Sequence, residues 1–347
     1  MLSTFLDKMS GFFDQRFVVA YLIPVLIGIV TLVTIIGLLK ESIVVSIFEW
    51  WIKGSGFEQA LLGVLYLLVT LLIAYLFAYL LATLTTPLVR MYEGYWPEWK
   101  LTHRLRVRQE KALSKHRYFL DSQEETLSKK QEDLSQQQEA LNAQETALAN
   151  QQTLPGITQK DLQTRQRDLT DKLANHDDQQ KALNAKQAHN EAFFYLNYPR
   201  DPLLLKPTKL GNVLAAAEEY SMQLYKLDAV IWWPRLAPLL PDAFRAQVDV
   251  ALIPMLAVLN LSLVFTLIAF IGGGSAILLG PNWLLFIISI IGCCFLARAS
   301  YKAAVSQAVD YGNWIRVAFD LHRHEILKQM HIPVPDNLIE ETLLWTS

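Results

Sequence analysis

Apolar residues gather towards the two ends of the chain, and a long polar stretch separates them. Phe17 to Leu39 carries no charge for 23 residues, Gln59 to Val89 for 31 and Val250 to Ala297 for 48. A helix needs about 20 apolar residues to cross the hydrocarbon core of a bilayer. The first two runs therefore predict one span each, at 17–39 and 59–89. The third is interrupted by "GGGS" and by Gly280, Pro281 and Asn282. It predicts two spans, at 250–271 and 280–299, joined by a short turn at 272–279.

The polar middle has its own period. Leu113, Leu120, Leu127, Leu134, Leu141 and Leu148 recur at a step of seven. A heptad step is the mark of a coiled coil, but here each heptad has one leucine where two apolar positions are usual. The second seam position holds Arg117, Glu124, Gln131, Gln138 and Glu145. Pro155-Gly156 is the strong breaker, so two antiparallel helices over 104–195 with a turn near 153–157 are expected. Facing residues of such a hairpin have numbers that add to a constant. Leu148 with Leu162, Leu141 with Leu169, and Leu127 with Leu183 all add to 310, and so does Leu134 with His176. The fold class expected is thus an all-α membrane protein: four transmembrane helices, a long antiparallel coiled-coil hairpin and short helices.

Charge orients the spans. The segment after span two carries Arg90, Lys100, Arg104, Arg106, Arg108, Lys111, Lys115 and Arg117, and the tail after span four opens with Arg298 and Lys302. The loop at 40–58 has only two basic residues, Lys40 and Lys53. The positive-inside rule then places both termini and the hairpin in the cytoplasm and 40–58 in the periplasm. Lys100, Arg104, Arg106 and Arg108, in the juxtamembrane segment 90–103 and the start of the hairpin, are candidates for anionic lipid headgroups. Residues 1–16 place Leu2, Phe5, Leu6, Met9 and Phe13 on one helical face, as an interfacial amphipathic helix does.

Residues 196–249 are cut by six prolines into short pieces, among which Leu210 to Tyr225 reads as helical and "AVIWWPRLAPLL" as interfacial. Asp242 is placed to cap a helix running straight into span three. In the tail, 300–347, Ser300, Ala304, Ala308 and Gly312 step by four, a spacing that lets helix backbones approach closely. Span four is expected to continue as a helix to about Met330, packing either on another subunit or on the Pro-rich segment of the same chain.

Candidate chemistry is sparse. The predicted spans contain no charged residue, which argues against proton relays and voltage sensing. Asn260 and Ser262 are the notable polar positions, and interhelical hydrogen bonding is their expected role. His322 and His324 are two apart and diverge on a helix, so no metal site is expected. Cys293 and Cys294 lie in an apolar run and read as small apolar residues. No phosphate-binding loop, nucleophile elbow or zinc-binding helix motif occurs, so no cofactor and no enzymatic activity are expected. A net charge of −2 gives nucleic acid no support as a partner.

"RMYEGYW" (Arg90 to Trp96), "PTKLGNVLAAAEEY" (Pro207 to Tyr220) and "DAVIWWPRL" (Asp228 to Leu236) resemble segments of an uncharacterised family of bacterial multi-span inner-membrane proteins. In that family similar motifs flank the spans on the cytoplasmic side. The resemblance covers less than a third of the chain and brings no activity. It implies a bacterial inner membrane and makes Tyr92, Trp96, Asn212, Glu218, Asp228, Trp233 and Arg235 candidates for a shared cytoplasmic platform, with an Asp228–Arg235 pair within it. The function expected is that of a non-enzymatic homo-oligomer in the bilayer whose coiled-coil arm mediates self-assembly or docks a cytoplasmic protein. The alternative is an oligomeric ion channel or membrane-perturbing effector, of a stress or phage-defence kind, gated through the rods.

Overall fold

The computed structural model describes residues 15–39, 57–97, 100–151, 159–279 and 283–346. The expected amphipathic start, the loop after span one and the turn near 153–157 fall largely or wholly outside the described residues. Among those described, regular structure is helical throughout, with no strand. Four helices are long and apolar enough to cross a membrane, with windows at Val18–Ile36, Leu61–Thr83, Asp242–Ile271 and Ile287–Gln329.

The first helix, α1, runs through Gln15–Phe17, a wide π turn at Val18–Leu22 and Ile23–Leu39. Pro24 explains the wide turn. Its ring has no N–H and would clash with the carbonyl four residues back, that of Ala20. The chain loosens there, and Ile23 N–H reaches the Val18 carbonyl instead. Helix α2, Phe57–Thr83, ends where Pro87 removes the bond to the Thr83 carbonyl. Leu84 leaves helical geometry and α3, Thr85–Glu93, follows. The uncharged run at 59–89 is therefore two helices. Among the described side chains of α2 the buried positions are the small pair Ala74 and Ala78.

Helices α4 (Lys100–Gln151) and α5 (Gln159–Asn197) form the polar middle. Leu127, Leu134 and Leu183 share one buried cluster between them. His176 Nε2 lies 2.8 Å from the Leu134 carbonyl oxygen, a contact that needs its proton on Nε2 because a carbonyl only accepts. Gln187 donates to Gln131 at 3.4 Å. The side chains of Leu120, Leu141, Leu148, Leu162 and Leu169 lie outside the described ones.

After α5 come α6 (Lys209–Tyr225), α7 (Ala229–Leu236), α8 (Asp242–Leu279), α9 (Trp283–Gln329) and α10 (Leu338–Thr346). Helix α8 starts at Asp242 and enters span three without a break. It also passes through Gly272, Gly273 and Gly274 to Leu279, so the turn expected at 272–279 is helical instead. Glycine is no breaker where hydrocarbon offers the backbone no other partner. Helix α9 carries span four on to Gln329 and packs on α8 in the opposite direction. Ser262 Oγ donates to the Ala297 carbonyl at 2.9 Å, and further along Phe244 meets Trp314 with ring centres 5.5 Å apart.

Candidate functional site

Beneath the spans the chain folds back on itself, and close backbone contact fixes the geometry. Helix α3 ends at Gly94, whose φ of 90° is the left-handed turn that stops the helix. Pro207 packs on that glycine: a Cβ there would sit 2.4 Å from Pro207 Cγ. Helix α6 then starts with Thr208 as its cap, the Thr208 Oγ1 accepting from Gly211 N–H at 3.0 Å. Gly211 is where α6 touches the end of α3. A Cβ on it would lie 2.1 Å from the Glu93 carbonyl oxygen. Asn212 is buried beside it and accepts from Lys206 N–H at 2.7 Å. The first two of the three quoted segments are thus in contact.

The third segment closes the site. Asp228 caps α7 by accepting from Val230 N–H at 2.9 Å. Trp233 then packs near Phe319 of α9, with ring centres 6.2 Å apart. Together the three segments and the adjoining ends of α8 and α9 line a cleft of about 910 Å³. Its walls include Trp96, Trp233 and Met255, and its polar groups include Arg90, Glu93, Glu218 and Tyr311.

The two carboxylates have no hydrogen-bond or ion-pair partner for their oxygens among the described residues. Burial pushes the Glu218 carboxyl up to about 7, helped by nearby Glu93 and Asp228 and opposed by Lys206. Burial also raises Glu93, against the pull of Lys206 and Arg90. Two acids at a half-apolar wall can exchange a proton near neutral pH or hold a cation. Among the described residues no three His, Cys, Asp or Glu side chains gather as metal ligands.

A second polar group ties α9 to its neighbours. The hydroxyls of Tyr220 and Tyr225 both donate to Asp320, at 2.7 Å each. Arg316, buried, donates to the Tyr195 carbonyl at the end of α5 and lies 5.0 Å from the centre of that ring. Arg323 forms a two-pronged pair with Glu341 of α10, at 2.7 and 3.1 Å. Burial works to raise Glu341, but the bonds from Arg323 and the proximity of His324 hold it below its ordinary value.

The small-residue face of α9 is occupied within the chain. Ser300, Ala304, Ala308 and Gly312 are all buried. Ala304 and Ala308 share a cluster with Leu210, Val213 and Leu214 of α6, and a Cβ on Gly312 would come 2.9 Å from Ala217 Cβ. Of the two packing partners considered for this face, the Pro-rich segment of the same chain is the one in place.

Other sequence-derived candidates divide. The Tyr92 ring stacks against Tyr301 at 6.1 Å, and Trp96 donates to the Met91 carbonyl at 2.6 Å. Asp228 and Arg235 do not pair. Asp228 serves the cap, while Arg235 donates to the Ile231 carbonyl at 2.6 Å and lies over Trp232. Seven residues along a helix set the cap and the last turn roughly 10 Å apart, and each side chain has a nearer partner. Lys100, Arg104 and Arg106 line one cleft together, and Arg108 is exposed outside it.

Sequence reading missed Glu93, Lys206, Arg316, Asp320 and Glu341. The available signal was charge at helix ends and in an otherwise apolar stripe on α9. Comparison with family models, with curated proteins and with solved structures finds no match to this chain.

Proposed function

We propose that the chain is a non-enzymatic, oligomeric protein of a bacterial inner membrane whose paired cytoplasmic helices act as an arm for self-assembly or for docking a protein partner. In this reading α4 and α5 form an antiparallel coiled-coil hairpin with its turn near Pro155. At ~1.5 Å per residue a helix the length of α4 reaches roughly 75 Å. The observation that carries the reading is the join at the arm's root. Arg316, on the helix that continues span four, grips the Tyr195 carbonyl and ring at the end of α5. Membrane anchor and arm are thereby one mechanical unit. A thin apolar seam such as Leu127–Leu134–Leu183 leaves most of the arm's surface free for a partner.

The uncharged spans permit the oligomeric-channel alternative as well, but the small-residue face of α9 that could have joined subunits is filled by α6 of the same chain.

The test is the mass of the detergent-solubilised full chain by light scattering, beside a variant with 104–195 replaced by a short linker. Self-assembly through the arm predicts an oligomer that falls to monomer in the variant. A full chain that is monomeric and also captures no specific partner on its arm would remove the proposal.

A further inference from the structure

Two clefts adjoin at the root of the arm, and their linings are chemically opposite. The first, about 690 Å³, is lined by Lys100, His103, Arg104 and Arg106 from the first turns of α4, and by Lys206 from the loop before α6. Among the described residues its lining includes no acidic side chain. The second, about 700 Å³, is mostly apolar and lies between α3 and the two long spans, with Tyr92, Leu263, Thr266 and Ala297 in its wall. Trp96 and Thr102 belong to both, so the clefts meet.

Several features favour an anion in the first cleft. The free N–H groups and dipole of a helix N-terminus attract negative charge, and acids are the usual first-turn residues. Here the first turn has no acid and instead adds cations of its own. Lys206 arrives from a segment a hundred positions away and stands 4.0 Å from the centre of the Tyr95 ring, which holds it over the cleft. Glu93 and Glu218 act on Lys206 from the neighbouring cleft, and a phosphate group would offset the charge of Lys100, Arg104 and Arg106 that these acids leave. Arginine forks match phosphate oxygens in pairs, and lysine adds a point charge.

The second cleft decides the source of the phosphate. It opens along spans three and four, where hydrocarbon is the solvent. A soluble phosphate would leave it empty, whereas an acyl chain fits its wall. We propose that this face binds one anionic phospholipid, its phosphate held by Lys100, Arg104, Arg106 and Lys206 and an acyl chain lying against Tyr92, Leu263 and Thr266. The bound lipid fastens the root of the arm to the spans.

Native mass spectrometry of the full chain in detergent tests this, with dioleoyl phosphatidylglycerol as probe and dioleoyl phosphatidylcholine as comparison. The expected result is retention of one phosphatidylglycerol at least tenfold tighter than phosphatidylcholine. Arg104→Gln with Lys206→Gln should abolish that preference. Arg108→Gln with Lys111→Gln removes the same charge outside the cleft and should change affinity less than twofold. Circular dichroism is expected to be the same for all, since Arg104, Arg108 and Lys111 are exposed and Lys206 is only half-buried in a loop. Equal losses in the two double variants would mean diffuse attraction and overturn the site. So would displacement of the lipid by millimolar glycerol phosphate, since the headgroup alone would then suffice.

Discussion

Asn260, buried in span three, donates its side-chain amide to the Ala20 carbonyl of α1 at 2.8 Å. Pro24 is the reason this carbonyl is available, because the N–H that would normally reach it does not exist. One helix thus supplies the partner that a proline in another removes. Asn260→Leu should lower stability by roughly 0.6–1.7 kcal/mol, the range for interhelical hydrogen bonds in membranes. Pro24→Ala restores a backbone donor, so the double variant should lose less than the two single effects added together. Unfolding in mixed micelles measures all four proteins. Additive losses would separate the two residues.

Glu218 makes the head of the protein sensitive to pH. Burial pushes its folded carboxyl up to about 7, from an ordinary 4.5. The folded protein therefore binds this proton more tightly than the unfolded chain does. The sign follows: stability is highest below about pH 4.5 and falls as pH rises through 7. Glu93, Asp228 and Lys206 are the charged groups acting on it. Glu218→Gln mimics the protonated form, so it should match the wild type near pH 5 and exceed it near pH 8 by on the order of 2 kcal/mol. Melting temperatures at both pH values check this, and an equal offset at the two would refute it.

The contact of Gly211 with the Glu93 carbonyl has no room to give, because both sides are backbone or tied to it. Gly211→Ala should lift the start of α6 from α3 at a cost of about 2 kcal/mol or more. Gly292 in span four is the control, since nothing lies within 4 Å of a Cβ placed there. Gly292→Ala should be neutral or mildly stabilising, as removing glycine from a helix interior is. Thermal unfolding of the two variants should move in opposite directions or, at the least, differ clearly.

What the sequence made legible was local. Uncharged runs located the spans, Pro199 to Pro241 marked short pieces, and the four-step of Ser300 to Gly312 marked a packing face. Asn260 and Ser262 do bond between helices. The glycine run after Ile271 was misleading, because glycine breaks helices in water far more readily than in hydrocarbon. The polar ties escaped for a different reason. Tyr220 and Tyr225 meet Asp320 across about a hundred positions, and Arg316 meets Tyr195 across more. No period or spacing encodes such a meeting; it exists only once α5 and α6 have been laid on α9.

Arg323 and Glu341 fasten the last helix to α9, with side chains only 14% and 4% exposed. Removing one partner strands the other away from water, at roughly 3 kcal/mol. Arg323→Ala should release α10, seen as faster hydrogen exchange over 338–346. Because Glu341 is held below its ordinary value, its contribution is present above about pH 4.5 and is lost as pH falls beneath it. Wild-type exchange over 338–346 should therefore rise in acid, and in Arg323→Ala that rise should shrink.

The arm offers the most direct test, since its seam is so thin. Leu127 is 5% exposed and shares its cluster with Leu134 and Leu183. One leucine layer per heptad leaves little to compensate a loss, and a carboxylate placed in that layer is held against Leu134 and Leu183. Leu127→Glu should cost about 2–4 kcal/mol locally and fray α4 and α5 while the four spans stay folded. Limited proteolysis reports the fraying as new cleavage between 100 and 197. A detergent-stable core holding the spans should survive the same digestion. Unchanged helicity and an unchanged cleavage pattern would mean that α4 and α5 do not depend on this seam, and the antiparallel pairing would have to be abandoned.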